Sequence, residues 1–144
     1  MSKLKSKTAL ITGGGSGIGR ATCLQFALEG AHIILLDLDE NGAKATVSEI
    51  ESLGGDAQFF KVDISDFKAV QKCISDISHI DVLVNNAGIA HIGSLENCSE
   101  ADFDKIYQVN IKGVYNCLSA VLPKMKAQKS GVILNMASIA SSIG

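Results

Sequence analysis

A chain of 144 residues has the length of one domain and can bury a substantial apolar core. Apolar residues make up 47% of it and charged residues 19%, the balance of an ordinary globular domain. The formal net charge of −2 gives no basis for a nucleic-acid or anionic-membrane surface. No apolar run is long enough to span a bilayer, and no signal peptide is recognisable before the first predicted strand.

The four cysteines have neither C-x-x-C spacing nor a neighbouring histidine at metal-ligand spacing. The sequence therefore predicts no metal site. We expect the cysteines to pack as small apolar side chains in a reducing cytoplasm. They are Cys23, Cys73, Cys98 and Cys117.

Strands and helices are predicted to alternate along the chain. The nearly continuous apolar run from His32 to Asp37 is typical of a parallel strand buried on both faces. The predicted strands are 8–12, 32–37, 57–62, 81–84 and 131–136. The predicted helices are 17–29, 40–53, 66–77 and a long helix that Ser99 caps and that runs to about residue 127.

This alternation predicts right-handed βαβ units and hence a three-layer, doubly wound α/β fold of the Rossmann type. The expected order of the parallel strands is 3-2-1-4-5, within a single domain that covers residues 1–144. Pro123 falls in the last third of the long helix and predicts a kink there or an end near Leu122.

A glycine-rich turn joins the first strand to the first helix. It reads Thr12-Gly13-Gly14-Gly15-Ser16-Gly17-Ile18-Gly19, with five glycines in eight residues, more than a plain tight turn needs. Glycines allow positive φ and let a ligand approach the backbone closely. A helix that begins in such a turn presents free N–H groups and the positive end of its dipole to a phosphate. We therefore predict a dinucleotide site.

Every predicted strand ends in a polar or glycine residue, although the strands themselves are apolar. Ligands of open parallel sheets bind at the carboxyl ends of the strands, so this row predicts a binding site. Asp37 lies 18 residues after Gly19, where an acid accepts hydrogen bonds from both adenosine ribose hydroxyls and repels a 2′-phosphate. Asp37 therefore favours NAD over NADP. The alternative is that Asp37 only caps the second helix.

Two further polar residues also have ordinary structural explanations. Asp63 follows the third strand, where it could be a simple turn residue. Asn110 interrupts an apolar stripe on the long helix, and a lone amide there is more often a satisfied core group than a functional one. The predicted stripe consists of Phe103, Tyr107, Val114, Cys117 and Val121.

The G-x-x-x-G-x-G spacing of Gly13, Gly17 and Gly19 resembles the classical short-chain dehydrogenase/reductase family, as does Asn85-Asn86-Ala87-Gly88. The resemblance extends from Lys7 to Gly144. It implies that Asp63 contacts the adenine amino group and that Ile64 packs on the ring. It also implies a cofactor site made of Gly13, Gly15, Ser16, Gly17, Ile18, Gly19, Asp37, Leu38, Asp63, Ile64, Asn86, Ala87 and Gly88.

The same resemblance implies two catalytic residues. Asn110 would hold a water of a proton relay, and Ser138 would hydrogen-bond the substrate carbonyl or hydroxyl oxygen; Ser141 and Ser142 are weaker candidates. The implied activity is NAD-dependent interconversion of a secondary alcohol and a ketone by hydride transfer. The full-length enzyme would be a homodimer or homotetramer that acts on a small alcohol or ketone, without nucleic-acid or membrane partners.

The family's Tyr-x-x-x-Lys motif is missing, since neither Tyr107 nor Tyr115 has a lysine four residues later. The resemblance places that acid/base pair about a dozen residues after Ser138. We therefore expect an NAD(P)-binding domain that is truncated before this motif, lacks the later strands and is inactive alone. A non-catalytic NAD-binding module remains the alternative. His91 could border a substrate pocket, although a solvated loop histidine is the default.

Overall fold

The computed structural model describes residues 2–138, in which five strands form one parallel sheet. Their order is β3-β2-β1-β4-β5, which confirms the predicted strand order. The strands are β1 Thr8–Thr12, β2 His32–Asp37, β3 Asp56–Lys61, β4 Val82–Asn85 and β5 Val132–Asn135.

The helices are α1 Gly17–Leu28, α2 Glu40–Ser52, α3 Phe67–Ser75, α4 Glu100–Ile106 and α5 Gly113–Gln128. A π-helical segment, Tyr107–Lys112, joins α4 to α5, and a 3₁₀ turn, Leu95–Asn97, precedes α4.

Alternate residues of the central strands enter two separate cores, one on each face of the sheet. On β1, Leu10 packs into the core beneath α3 and α5, whereas Ile11 packs into the core beneath α1 and α2. β2 behaves in the same way, with Ile34 in the first of these cores and Leu35 in the second. Burial on both faces explains the nearly continuous apolar runs and confirms the three-layer α/β fold.

The predicted apolar stripe of the long helix is correct only in its second half. Cys117 and Val121 are fully buried, but Phe103 is 61% exposed and Tyr107 is 51% exposed. The reason is that α5 packs against α3 and β4, whereas α4 mainly contacts the π-helical segment that follows it. Of the two alternatives predicted at Pro123, an end near Leu122 is wrong, because α5 continues through Pro123 to Gln128.

The buried cysteines behave as small apolar residues. Cys23 and Cys117 are both 0% exposed, and this burial raises the pKa of each thiol to about 12. Both thiols are therefore protonated at neutral pH, which fits their packing as small apolar side chains. Cys73 and Cys98 are partly buried and form no disulfide. Across residues 2–138, no helix is both long and apolar enough to cross a membrane.

Candidate functional site

A cavity of about 550 Å³ opens at the carboxyl edge of the sheet. It lies between the glycine-rich turn, the ends of β2 and β3, the loop after β4, and α4. Twelve of the thirteen residues predicted to bind a cofactor line it, so residues from four separate loops meet at this cavity. These are Gly13, Ser16, Gly17, Ile18, Gly19, Asp37, Leu38, Asp63, Ile64, Asn86, Ala87 and Gly88.

The glycine-rich turn is closed on one side and open on the other. Gly13 has φ +69°, and a Cβ there would lie 2.8 Å from Ala87 Cα; a Cβ at Gly19 would lie 2.0 Å from the Gly13 carbonyl oxygen. Gly17, by contrast, has φ +51°, and a Cβ at this position would meet no heavy atom within 4 Å. The turn therefore packs tightly against the loop after β4 while its Gly17 surface stays accessible.

The N-terminus of α1 has no side-chain cap. Ser16 occupies the N-cap position with an extended backbone, but its hydroxyl makes no capping hydrogen bond, and the first turn contains no acidic residue. Asp39, Asp66 and Ser99 cap α2, α3 and α4 through their side chains. The first-turn N–H groups of α1 are thus suited to an external anion, which the dipole of the helix also favours.

Asp37 ties the end of β2 to the glycine-rich turn. Its Oδ2 accepts a 2.8 Å hydrogen bond from the Gly15 N–H, and its Oδ1 accepts one of 2.9 Å from the Asp39 N–H. The alternative that Asp37 caps α2 is wrong, because the Asp39 side chain caps that helix by accepting from the Asn41 N–H. Gly15 does not line the cavity, since its N–H points to Asp37 instead.

The loop after β4 is bonded directly to the glycine-rich turn. Asn86 Nδ2 donates to the carbonyl oxygens of Thr12 and Gly13, at 3.0 and 3.2 Å. The Thr12 hydroxyl oxygen accepts from the N–H groups of Asn86 and Ala87, both at 3.0 Å. Because Thr12 is 1% exposed, these bonds are shielded from water and fix the distance between the two walls.

Asp63 has a turn role and also lines the cavity. Its Oδ1 accepts hydrogen bonds from the Ser65 N–H at 2.9 Å and from the Ser65 hydroxyl at 2.7 Å. The turn explanation therefore accounts for one carboxylate oxygen. The other oxygen has no hydrogen-bond partner within residues 2–138, so it can accept a bond from a ligand in the cavity.

The predicted catalytic residues lie outside the cavity lining. Asn110 is in the π-helical segment, where its Nδ2 donates to the Ile89 carbonyl oxygen at 2.8 Å and its Oδ1 accepts from the Ile89 N–H at 2.9 Å. Its side chain is thus satisfied by backbone. Ser138 is exposed and follows β5 at the same edge of the sheet. Ser141 and Ser142 fall outside the described residues.

His91 does not line the cavity either. Its Nδ1 lies 4.0 Å from Asp102 Oδ2, near the N-terminus of α4. The sequence interpretation also missed five lining residues. Three of them are chain neighbours of predicted site residues, and the other two are four residues apart on one helical face, so both signals could have found them. The five are Leu36, Val62, Ile89, Lys105 and Val109.

Known proteins are similar to this chain in sequence and in fold. The model of the family "short chain dehydrogenase" matches residues 7–144. A Thermotoga maritima protein named "Uncharacterized oxidoreductase" is 42% identical over 142 residues, covering 97% of this chain and 57% of that protein. Dehydrogenase/reductase SDR family member 6 of Rattus norvegicus is 41% identical over 143 residues, covering 99% of this chain and 56% of that protein.

Among solved structures, NAD+-bound xylitol dehydrogenase is 32% identical, with a TM-score of 0.92 over 99% of this chain and 56% of that one. The chain thus spans little more than half the length of these relatives. An oxidoreductase fold of the Rossmann type and a family match over nearly the whole sequence agree with the cavity described above. The chain belongs to the short-chain dehydrogenase family.

Proposed function

We propose that the cavity binds NAD, with the pyrophosphate at the N-terminus of α1 and the adenosine between Asp37 and Ile64. The observation that carries this proposal is the uncapped start of α1, which faces the same cavity as a ribose-binding acid. The close contacts at Gly13 and Gly19 support it, because a methyl group at either position would collide with backbone and disrupt the cradle. Metal binding plays no part in the proposal.

The preference for NAD over NADP rests on charge. Asp37 lines the cavity at the end of β2, and its neighbours Ser16 and Leu38 are not basic. A 2′-phosphate would therefore meet a carboxylate without a compensating cation on the same wall, which Coulomb repulsion disfavours. NADP remains the less favoured cofactor. Removing the Asp37 carboxylate should therefore reduce the preference for NAD over NADP and leave the cofactor site intact.

The proposed reaction is the interconversion of a secondary alcohol and a ketone. NAD supplies the hydride acceptor in this chemistry. The Ser138 hydroxyl would hydrogen-bond the substrate oxygen, and Asn110, held on the Ile89 backbone, would position a water for proton transfer. For the whole protein, the proposal includes a small alcohol or ketone as substrate. It also includes assembly as a homodimer or homotetramer and a cytoplasmic location.

The cofactor assignment is tested by titrating Asp37→Ala with NAD and NADP. We expect NAD affinity to fall about tenfold, the loss of one or two hydrogen bonds, while NADP affinity is kept or rises. Asp39→Ala is the matched control, because it removes the cap of α2 two residues away without touching the cavity. Unchanged affinities for both cofactors in Asp37→Ala would refute the assignment.

The catalytic proposal is tested on the complete coding sequence. A Tyr and a Lys four residues apart shortly after Gly144 would support the dehydrogenase, and a stop codon would favour a non-catalytic NAD-binding module. In an active complete protein, Ser138→Ala is expected to lower kcat by at least about tenfold and leave the Kd for NAD unchanged. Loss of NAD binding instead would make Ser138 a structural residue. A panel of secondary alcohols would define the substrate.

A further inference from the structure

Asn116 is a fully buried amide that lies behind the cavity wall. It sits on α5, is 0% exposed, and donates a 2.7 Å hydrogen bond from Nδ2 to the carbonyl oxygen of Ile64. Its Oδ1 is also buried and has no hydrogen-bond partner within residues 2–138. A polar side chain is therefore kept in the core with one hydrogen bond to residues 2–138, out of the four that an amide can make.

The unpartnered Oδ1 of Asn116 is a cost to stability. A buried acceptor without a partner loses its hydration and gains nothing in return, whereas an apolar side chain of similar shape avoids that loss. Local departures from good packing rules are expected where a function requires them. The part of the amide that is used is the donor, and the atom it holds is the backbone oxygen of Ile64.

Ile64 is fixed from a second direction by the same helix. Gly113 lies one turn before Asn116, and a Cβ at Gly113 would come within 2.6 Å of Ile64 Cδ1. Ile64 itself is 7% exposed and lines the cavity directly after Asp63. α5 thus sets both the backbone position of the turn, through Asn116, and the side-chain position of Ile64, through the space left at Gly113.

We propose that Asn116 is a positioning residue that fixes the Asp63–Ile64 turn for recognition of the adenine ring. The proposal rests on the proposed NAD site. The Ile64 side chain supplies an apolar contact for the adenine ring, and Asp63 Oδ2 accepts a hydrogen bond from the adenine amino group. Both depend on where the turn is held, and the hydrogen bond from Asn116 to the Ile64 carbonyl is the contact that holds it from the core side.

The test compares Asn116→Leu with the wild-type chain in two measurements. The unfolding midpoint is expected to change little, because Asn116→Leu removes the unpartnered Oδ1 but also leaves the Ile64 carbonyl without its donor. NAD affinity is expected to fall about tenfold, the equivalent of one hydrogen bond. Nicotinamide hypoxanthine dinucleotide lacks the adenine amino group, so Asn116→Leu should weaken its binding less than the binding of NAD. The ratio of NAD affinity to the affinity for this analogue should therefore be smaller in Asn116→Leu than in the wild type.

Val121→Ala is the matched control, since Val121 is a fully buried residue of α5 that packs in the core. It should lower the unfolding midpoint and leave both affinities and their ratio unchanged. Gly113→Ala supplies a second route to the same turn, because its methyl group displaces the Ile64 side chain without removing a core contact. It is expected to shrink the same affinity ratio in a folded protein.

Three results would count against the proposal. If the wild-type chain bound neither dinucleotide, the proposed NAD site would be refuted and this inference with it. If the wild type bound NAD but Asn116→Leu and Gly113→Ala kept its affinity and ratio, only the inference would be overturned. If Asn116→Leu lost stability as Val121→Ala does, with unchanged affinities, Asn116 would be an ordinary core residue.

Discussion

Helices α1 and α3 both begin at the carboxyl edge of the sheet, yet their N-termini differ. In α3, Asp66 Oδ1 accepts hydrogen bonds from the N–H groups of Lys68 at 2.9 Å and Ala69 at 3.1 Å. In α1, Ser16 holds the equivalent position and makes no capping bond. Both helices have first-turn N–H groups that need acceptors; α3 has a side-chain acceptor for two of them, whereas those of α1 have none from the N-cap side chain.

The start of α1 lacks a stabilising contact that three other helices have. A side-chain cap contributes about 1 kcal/mol to a helix, and α2, α3 and α4 all have one. An acid at the start of α1 would add a similar amount, but it would also repel the phosphates of a dinucleotide. Helix α1, whose first residues line the cavity, thus begins without a side-chain cap.

The largest expected effect follows from closing the turn before α1. Gly13→Ala places a methyl group 2.8 Å from Ala87 Cα at a φ of +69°. Backbone strain and overpacking together should lower the free energy of unfolding by roughly 2–6 kcal/mol. NAD binding should be lost, because the turn separates from the loop after β4. Denaturant unfolding measures the free energy of unfolding, and titration calorimetry measures NAD binding. An unchanged unfolding midpoint would contradict the tight packing around Gly13.

A matched glycine pair separates backbone strain from ligand contact. Gly17 and Gly54 both have positive φ, +51° and +80°, and a methyl group at either would meet no atom within 4 Å. Changing each to alanine should lower the free energy of unfolding by a similar amount, about 1–2 kcal/mol. Only Gly17→Ala should also weaken NAD binding, by about tenfold or more, since Gly17 lines the cavity. Equal NAD affinities of Gly17→Ala and Gly54→Ala would indicate that NAD does not bind at the N-terminus of α1.

The sheet order and the glycine-rich turn could be predicted because their signals are local. Apolar runs, helical spacing and glycine positions are all read within one segment of the chain. Exposure of Phe103 was not predictable in this way, because periodicity defines a helix face but not what covers it. Nor could periodicity choose between Asp37 and Asp39 as the cap of α2. That choice depends on the turn between β2 and α2, in which the Asp39 side chain accepts from the Asn41 N–H.

Long-range contacts in the candidate site were also beyond the sequence. Asn116 reaches Ile64, which lies 52 residues earlier, and nothing local to either residue marks the pair. The interrupted apolar stripe singled out Asn110, but only the family resemblance gave it a catalytic role, and in the structure its side chain is bonded to the Ile89 backbone. Sequence patterns thus identify which strand ends carry polar residues, whereas the supports behind the cavity require the packed structure.

The smallest effects come from the two N-cap positions themselves. Asp66→Ala should lower the free energy of unfolding by about 1 kcal/mol and leave NAD affinity unchanged, because α3 loses an internal cap. Ser16→Ala should change the unfolding free energy by less than about 0.5 kcal/mol, since its hydroxyl caps nothing. Saturating NAD should stabilise both variants through binding to the folded state. Both changes are measured by denaturant unfolding without ligand. Equal destabilisation by Asp66→Ala and Ser16→Ala would mean that the Ser16 hydroxyl caps α1, and that this helix needs no external anion.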